Sequence, residues 1–246
     1  FIWTSERSGW RHLYRVTRDG KQMTNLTQGD FDVVSIAALD EDNGWIYFIA
    51  SPKNVAQRYL FRSKLDASVI NEQVTPSEFA GSNSYQMSAN GEWAIHTHST
   101  FDTPAQKRLI KVEGHQQRHM MMDNQQLIAQ LGELDRPTTE FFQVTARDGV
   151  VLDGYLMKPA NFDATKKYPI IFYVYGEPWG QTVQDRWRGN SYLWDQMMTE
   201  QGFLIASIDN RGTRAPKGRD WRKSIYGEVG VKSSRDQSDA LRAMTR

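Results

Sequence analysis

Two long apolar runs constrain the fold of this chain more than any other feature of its sequence. The first extends from Tyr168 to Gly176, and the second extends from Phe203 to Gly212. Neither run alternates between apolar and polar residues, so both faces of each predicted strand must be covered, as they are in a parallel sheet packed between helices. The segment between the runs is long enough for a crossover helix, so the pair predicts one β-α-β unit.

Tyr175 stands at the end of the first of these predicted strands. Functional groups of open α/β sheets gather where the strands end. On spacing alone, the simpler interpretation is an aromatic side chain that packs against the next loop. Its position still makes Tyr175 the first candidate for a functional side chain.

The composition excludes several kinds of partner and site. The chain has 246 residues, of which 39% are hydrophobic, which is enough for one large domain or two of ordinary size. Its 30 Lys and Arg residues nearly balance its 29 Asp and Glu residues, so no overall field favours nucleic acid as a partner. No apolar run approaches the roughly 18 residues of a membrane span. The absence of cysteine excludes disulfides, thiolate metal sites and a cysteine nucleophile from this sequence.

The first half of the sequence repeats a pattern of short strands. Runs rich in Trp, Ile and Tyr end at Ser5, Ser51 and Ser99, with a period of about 46 to 48 residues. Turn signals separate these runs from their neighbours: Asp19-Gly20, Asn43-Gly44 and Asn90-Gly91. Repeated units of this size, made of short strands, predict two to three blades of a β-propeller. An ordinary β-sandwich with evenly spaced strands is the alternative.

From Asp123 onward, the apolar residues recur with the spacing of an α-helix. Leu127, Ile128 and Leu131 share one stripe of a predicted helix that Asp123 is placed to cap. Further on, Asp148-Gly149 between two apolar runs indicates a hairpin. Ser234 to Gln237 has the spacing of a capping box and predicts the start of a last helix.

The second half therefore has the order hairpin, strand, helix, strand, helix, which is the opening of an α/β-hydrolase sheet. We expect partial β-propeller blades over residues 1–122, a linker helix over residues 123–139 and the N-terminal part of an α/β-hydrolase domain over residues 140–246. The sequence contains no Gly-x-Ser-x-Gly nucleophile elbow and no histidine after His119. The expected domain therefore ends before its catalytic residues, and the chain is expected to be an internal segment of a longer protein.

The histidines all lie in the first half, at positions 12, 96, 98, 115 and 119. His96 and His98 would point to one face of a strand, and His115 and His119 have the spacing of ligands on a helix. No third ligand is placed to complete either pair, so we expect no metal and no other cofactor.

Three stretches of the sequence carry a family resemblance when they are taken together and in order. They are Trp3 to Tyr14, Lys167 to Pro178, and Ser207 to Thr213 followed by Ile225 to Gly227 and Asp236-Gln237. In this combination the chain resembles the prolyl oligopeptidase family of serine peptidases, and within it the bacterial dipeptidyl peptidase IV group. No single stretch is specific, but the match runs over nearly the whole chain.

The resemblance implies a serine exopeptidase that releases dipeptides from peptide N-termini, typically after Pro or Ala, by an acyl-enzyme mechanism. It implies that Tyr175 donates its phenolic O–H to the oxyanion of the tetrahedral intermediate. The catalytic triad and the acidic pair that holds the amino end of the peptide have no counterparts here, so the segment alone is expected to be inactive. A peptide is the implied partner. Members are often homodimers, and bacterial members are often periplasmic or secreted.

One residue departs from the family pattern, and two other interpretations stay open. Glu177 stands where the family usually has a second glycine, in a loop that approaches the substrate closely. The chain could instead belong to a non-catalytic scaffold that binds peptides or proteins, or to a hydrolase similar to acylaminoacyl peptidases, which would share Tyr175.

Overall fold

The computed structural model describes residues 1–245 of the chain. These residues form two units. The first comprises residues 1–124 together with residues 216–220, and the second comprises the remaining described residues. None of the helices within residues 1–245 has the length and apolar character needed to cross a bilayer.

The first unit consists of antiparallel sheets. Its strands are β1 (Ile2–Ser5), β2 (His12–Val16), β3 (Met23–Asn25), β4 (Val33–Asp40), β5 (Trp45–Ala50), β6 (Tyr59–Lys64), β7 (Glu72–Gln73), β8 (Ser82–Met87), β9 (Trp93–Ser99), β10 (Gln106–Lys111) and β11 (Gln116–Met122). A 3₁₀ turn at Glu113–His115 precedes β11. Each sheet uses consecutive strands, in the orders β1-β2-β3, β4-β5-β6-β7 and β8-β9-β10-β11.

The sheets of the first unit stack face to face. Leu13 of the first sheet packs in one buried cluster with Ile46 and Phe48 of the second. Leu60 of the second sheet packs in another cluster with Ile110 of the third. A succession of small sheets, each packed on the next, is the arrangement of propeller blades and not of a two-sheet sandwich. The propeller-like fold predicted from the repeat is therefore confirmed.

The predicted turns between these strands require glycine. Gly44 joins β4 to β5 with a φ of 68°, and Gly91 joins β8 to β9 with a φ of 67°. A side chain at position 91 would also meet the ring of Tyr47, because an added Cβ would stand 2.8 Å from it. The left-handed conformation and the close packing both favour the residue without a Cβ.

A segment from much later in the chain belongs to the first unit. The carboxylate of Asp32 accepts hydrogen bonds from the backbone N–H of Arg11, at 2.7 Å, and of Gly218, at 2.9 Å. The N–H of Arg219 donates to the carbonyl of Gly9 at 2.7 Å. The sequence pattern did not predict that residues 216–220 would associate with the early strands.

The expected linker helix is shorter than the sequence indicated. Helix α1 covers Gln125–Gly132, and strand β12 already begins at Thr138. Asn124 has a left-handed φ of 53°, and its side-chain amide donates to the carbonyl of Ala105 at 2.6 Å. This conformation prevents Asp123 from serving as the residue immediately before the first helical turn.

The second unit contains one mixed sheet with helices. Its elements are β12 (Thr138–Thr145), β13 (Val151–Lys158), β14 (Ile170–Tyr173), α2 (Asn190–Glu200), β15 (Leu204–Asp209), α3 (Gly218–Lys223) and α4 (Val231–Met244), with α3 starting in the segment assigned to the first unit. The strand order is β12-β13-β15-β14, in which only β14 and β15 are parallel. The predicted hairpin and the predicted β-α-β unit are both present.

The predicted start of the last helix was wrong. Helix α4 begins at Val231, after Gly230 with a φ of 83°, and not at a capping box formed by Ser234 and Gln237. Gln237 is buried within α4 and donates instead to the carbonyl of Ile208 at 2.9 Å. The side chain that looked like a helix cap therefore ties the helix to the end of β15.

Candidate active site

The candidate site lies in the loop that follows β14 and leads to α2. Ser207 of β15 donates its hydroxyl to the carbonyl of Tyr173, the last residue of β14, at 2.7 Å. The hydroxyl of Thr182 lies 2.8 Å from the same Ser207 hydroxyl. Ser207 is fully buried, so this pair of contacts fixes both the start and the middle of the loop to the neighbouring strand.

Asp209, at the end of β15, anchors the same loop. Its Oδ1 accepts hydrogen bonds from the N–H of Thr182 at 2.8 Å and from its hydroxyl at 3.0 Å. Its Oδ2 accepts from the N–H of Val183 at 3.3 Å. Burial raises the pKa of Asp209 to about 6, although these hydrogen bonds oppose the rise. The parallel pairing of β14 with β15 therefore brings a buried carboxylate to the base of the loop that carries Tyr175.

The Tyr175 side chain is 42% exposed and faces a cavity of about 450 Å³. Gly180 lies against its ring, since a Cβ added at Gly180 would stand 2.7 Å from the ring. The N–H of Arg214 donates to the carbonyl of Gly180 at 3.1 Å, which holds the glycine in place. The phenol thus lies in an open cavity, with its ring supported on one side by backbone.

Arg188 forms one wall of the cavity and is held by its own partners. Its Nη1 donates to the hydroxyl of Tyr155 at 2.8 Å and to Oδ2 of Asp195 at 2.6 Å. Its guanidinium lies 5.9 Å from the ring centroid of Tyr173. Burial raises the pKa of Asp195, and the ion pair with Arg188 opposes this rise. A paired and hydrogen-bonded charge of this kind rigidifies the wall of the cavity.

Arg211 organises the turn that follows β15. Its guanidinium makes a two-pronged contact with the buried carboxylate of Asp236, with Nη2 2.6 Å from Oδ1 and Nε 3.1 Å from Oδ2. Its Nη1 also lies 2.7 Å from Asp148 in the β12–β13 hairpin turn. Such bidentate pairs fix geometry as well as charge, so Arg211 connects the turn, the hairpin and α4.

Comparison with known proteins identifies the architecture. Residues 1–105 match the family described as the dipeptidyl peptidase IV N-terminal region, and residues 190–246 match the prolyl oligopeptidase family. A crystal structure of Porphyromonas gingivalis dipeptidyl peptidase 4 superimposes with a TM-score of 0.91 at 25% identity, covering 100% of this chain. These matches support the chain as a segment similar to members of the prolyl oligopeptidase family.

Curated relatives in the dipeptidyl peptidase IV group extend this finding. The dipeptidyl peptidase 4 proteins of Trichophyton equinum and Trichophyton rubrum are each 28% identical to the chain over 249 residues. The match covers 100% of this chain and 32% of each relative. It also covers 34% of the P. gingivalis chain. The chain thus spans about a third of the length of these family members.

The two loop residues singled out from the sequence have different surroundings in the structure. Tyr175 lines the cavity, whereas Glu177 is an exposed residue of the same loop. Gly176, between them, has a φ of 78°, which a side chain would disfavour. The oxyanion role of Tyr175 stays a prediction at this point.

Several residues of the site were missed by sequence reasoning. They are Gly180, Thr182, Arg186, Arg188 and Ser207. The loop has no periodicity, and its anchors come from β15, more than twenty residues further along the chain. Only Asp209, at the end of an apolar strand, gave a signal that could have been used.

The five histidines all lie in the first unit. Across residues 1–245, no group of three or more His, Asp or Glu side chains is arranged to hold a metal ion. His96 stacks on Tyr85 at 4.6 Å between ring centroids, and the Tyr85 hydroxyl lies 2.9 Å from Nε2 of His115. His119 lies on strand β11 and His115 in the preceding 3₁₀ turn, so the two residues do not share a helix.

Proposed function

We propose that this chain is part of a serine-type exopeptidase that releases dipeptides from peptide N-termini, typically after Pro or Ala. The reaction proceeds through an acyl-enzyme, and Tyr175 is the oxyanion donor. The observation that carries the proposal is the position of Tyr175, whose ring is supported by Gly180 at a cavity beyond the end of a parallel strand. The similarity to dipeptidyl peptidase 4 proteins supports it.

The chemistry of a phenol suits this role. When a nucleophile adds to a peptide carbonyl, the carbonyl oxygen gains negative charge, and a donor already aimed at it stabilises the transition state more than the ground state. The phenolic O–H of Tyr175 donates a hydrogen bond to that oxygen without transferring its proton. A single such donor contributes roughly 2.7 to 4 kcal/mol, or about a hundredfold to a thousandfold in rate.

The loop that carries the donor is preorganised. Its middle is bound to Asp209 through Thr182 and Val183, and its beginning is bound to Ser207 through Tyr173. A donor held in this way costs little reorganisation when charge develops on the substrate. The nucleophile and the general base are not assigned to this chain, because its sequence has no Gly-x-Ser-x-Gly motif and no histidine after His119.

The test is Tyr175→Phe in the natural protein that carries this sequence, assayed with Xaa-Pro and Xaa-Ala peptides. We expect kcat to fall by about a hundredfold or more, with little change in KM, because the hydrogen bond is made only in the transition state. Tyr226→Phe is the matched control, since Tyr226 is 94% exposed and does not line the cavity. An unchanged kcat in Tyr175→Phe would show that Tyr175 does not stabilise the oxyanion.

A second assay separates the proposal from the acylaminoacyl-peptidase alternative. Each peptide is offered with a free and with an acetylated N-terminus. A dipeptidyl peptidase cleaves the free form, whereas preference for the acetylated form would assign the other activity. Binding of both forms without cleavage would favour the non-catalytic scaffold.

A further inference from the structure

The charged residues that line the cavity beside Tyr175 are of one sign. Two arginines, Arg186 and Arg188, contribute to its surface, and among the described residues no Asp or Glu lines it. The remaining polar lining includes the side chains of Gln181 and Gln184. Both amide nitrogens already donate to backbone carbonyls, of Val183 and Gln181 respectively, so the arginines supply the charge that the cavity wall presents to whatever enters.

The two arginines differ in their ion pairing. The charge of Arg188 is matched by Asp195 at 2.6 Å, and its Nη1 also contacts Tyr155. Arg186 is exposed, and its guanidinium forms no ion pair with any residue between 1 and 245. Of the two positive charges in the cavity, only that of Arg186 is available to a ligand.

The backbone holds Arg186 at this place by local hydrogen bonds. The N–H of Arg186 donates to the carbonyl of Gln184 at 3.0 Å, and the N–H of Gln184 donates to the carbonyl of Thr182 at 3.1 Å. Thr182 is in turn the residue bound by Asp209. The anchor that positions the Tyr175 loop therefore also positions the backbone that carries Arg186.

We propose that Arg186 recognises a carboxylate of the peptide, so that the cavity prefers peptides with an acidic side chain or a terminal carboxylate close to the bond presented to Tyr175. This inference rests on the proposed function for the place of that bond. A guanidinium fork matches the two oxygens of a carboxylate, which a lysine cannot do with the same geometry.

Chemical footprinting tests recognition without requiring turnover. The natural protein is treated with phenylglyoxal, and modification of Arg186 is followed by peptide mass spectrometry, with the exposed Arg242 as the internal reference. Peptides with an N-methylated scissile amide are added in matched pairs: Glu against Gln at each position near that bond, and a C-terminal acid against an amide. We expect the acidic member of a pair to slow modification of Arg186 and to leave Arg242 unaffected.

The pairs distinguish the two sources of the carboxylate. Protection by Glu but not Gln assigns an acidic side chain, and protection by the acid but not the amide assigns a short peptide with its terminal carboxylate in the cavity. Equal modification of Arg186 with both members of every pair would overturn the proposal.

Kinetics provides the second readout. In Arg186→Gln, we expect the ratio of kcat/KM for the acidic peptide to that for its neutral partner to fall by up to about fivefold, the range of an exposed ion pair. Arg186→Lys should retain part of the preference, and Arg242→Gln should retain all of it. Peptidase activity without protection of Arg186 would contradict this inference alone, whereas protection without activity would contradict the proposed function alone.

Discussion

Gly180 lies so close to Tyr175 that a Cβ at position 180 would stand 2.7 Å from Cε1 of the tyrosine ring. Gly180 is not among the residues with positive φ, so its backbone conformation is open to other amino acids. The glycine is therefore required by the ring and not by the turn. Any side chain at this position must displace the phenol that we propose as the hydrogen-bond donor to the oxyanion.

Gly180→Ala should consequently impair catalysis through Tyr175. We expect kcat in the natural protein to fall about ten- to a hundredfold, because a displacement on the scale of an ångström misaligns a catalytic hydrogen bond. The measurement is kcat and KM with an Xaa-Pro peptide. Gly132→Ala is the matched control, since an added Cβ there meets nothing within 4 Å. Full activity in Gly180→Ala would show that the ring position does not matter.

Combining Gly180→Ala with Tyr175→Phe tests whether the glycine acts through the tyrosine. If it does, the double variant should be little worse than Tyr175→Phe alone, because the hydrogen bond is already lost. Independent losses that multiply would instead show that Gly180→Ala damages the site by another route. Steady-state kcat of the four proteins decides between these outcomes.

The buried carboxylate of Asp209 should make stability depend on pH. Burial raises its pKa to about 6, whereas an exposed aspartate titrates near 3.9, so the folded state holds the proton more tightly. The contribution of this group to stability is fully present below about pH 4 and is lost as the pH rises through about 6, a change of roughly 3 kcal/mol.

Asp209→Asn should remove that dependence. Urea unfolding of the wild type and the variant between pH 4 and pH 7 gives the difference in unfolding free energy at each pH. We expect the variant to gain stability relative to the wild type as the pH rises. The altered contact with Val183 should lower the unfolding free energy of the variant by the same amount at every pH. A difference that does not change with pH would contradict the raised pKa.

The sequence predicted the strands of the site better than the loop between them. Strands β14 and β15 were predictable because each carries a continuous apolar run, the pattern of a strand covered on both faces. In the structure β15 is almost entirely buried, whereas β14 is half-buried. The conformation of the loop was not, because it depends on contacts of Thr182 with Ser207 and Asp209, which lie on the neighbouring strand. Residues such as Gly180 acquire their role only from the side chain that packs against them, and no local pattern records that contact.

Two buried histidines should destabilise the first unit in acid. His96 is fully buried, and its Nε2–H donates to Oδ1 of Asn83 at 2.7 Å. Burial lowers its pKa to about 2. Burial also lowers the pKa of His115. Because the unfolded state binds these protons more readily, the stability that the neutral rings provide is complete above about pH 6.5 and falls as the pH decreases. For His96 the loss approaches about 1.4 kcal/mol per pH unit once the pH is well below 6.5.

The variant His96→Gln should reduce this acid sensitivity. We expect the slope of unfolding free energy against pH, measured with urea between pH 5 and pH 6.5, to decrease by about 1 kcal/mol per pH unit on average, with the largest decrease near pH 5, where the unfolded ring is almost fully protonated. His119→Gln, the same substitution at an exposed position on β11, is measured alongside as the control. An NMR titration in which His96 becomes protonated near pH 6 in the folded protein would contradict the prediction.

The ion pair between Arg211 and Asp236 should contribute far more to stability than an exposed ion pair between two strands of the second unit. Asp236 is fully buried, so Asp236→Asn leaves the guanidinium of Arg211 facing a neutral amide. We expect the free energy of unfolding to fall by about 3 to 5 kcal/mol. Arg211→Lys should also be costly, because an ammonium cannot make both contacts of the fork.

The exposed pair between Lys158 and Glu140 is the control for that prediction. The Glu140 side chain is 51% exposed, although its oxygen lies 2.7 Å from Nζ of Lys158, as short as a buried contact. We expect Glu140→Gln to change the unfolding free energy by less than about 1 kcal/mol, because water solvates both charges when they separate. Similar losses in Asp236→Asn and Glu140→Gln, measured by urea unfolding at pH 7, would mean that distance alone sets the contribution of these pairs. A large difference would show that burial decides it, which is the reason for assigning Arg211 the role of connecting the turn after β15 to α4.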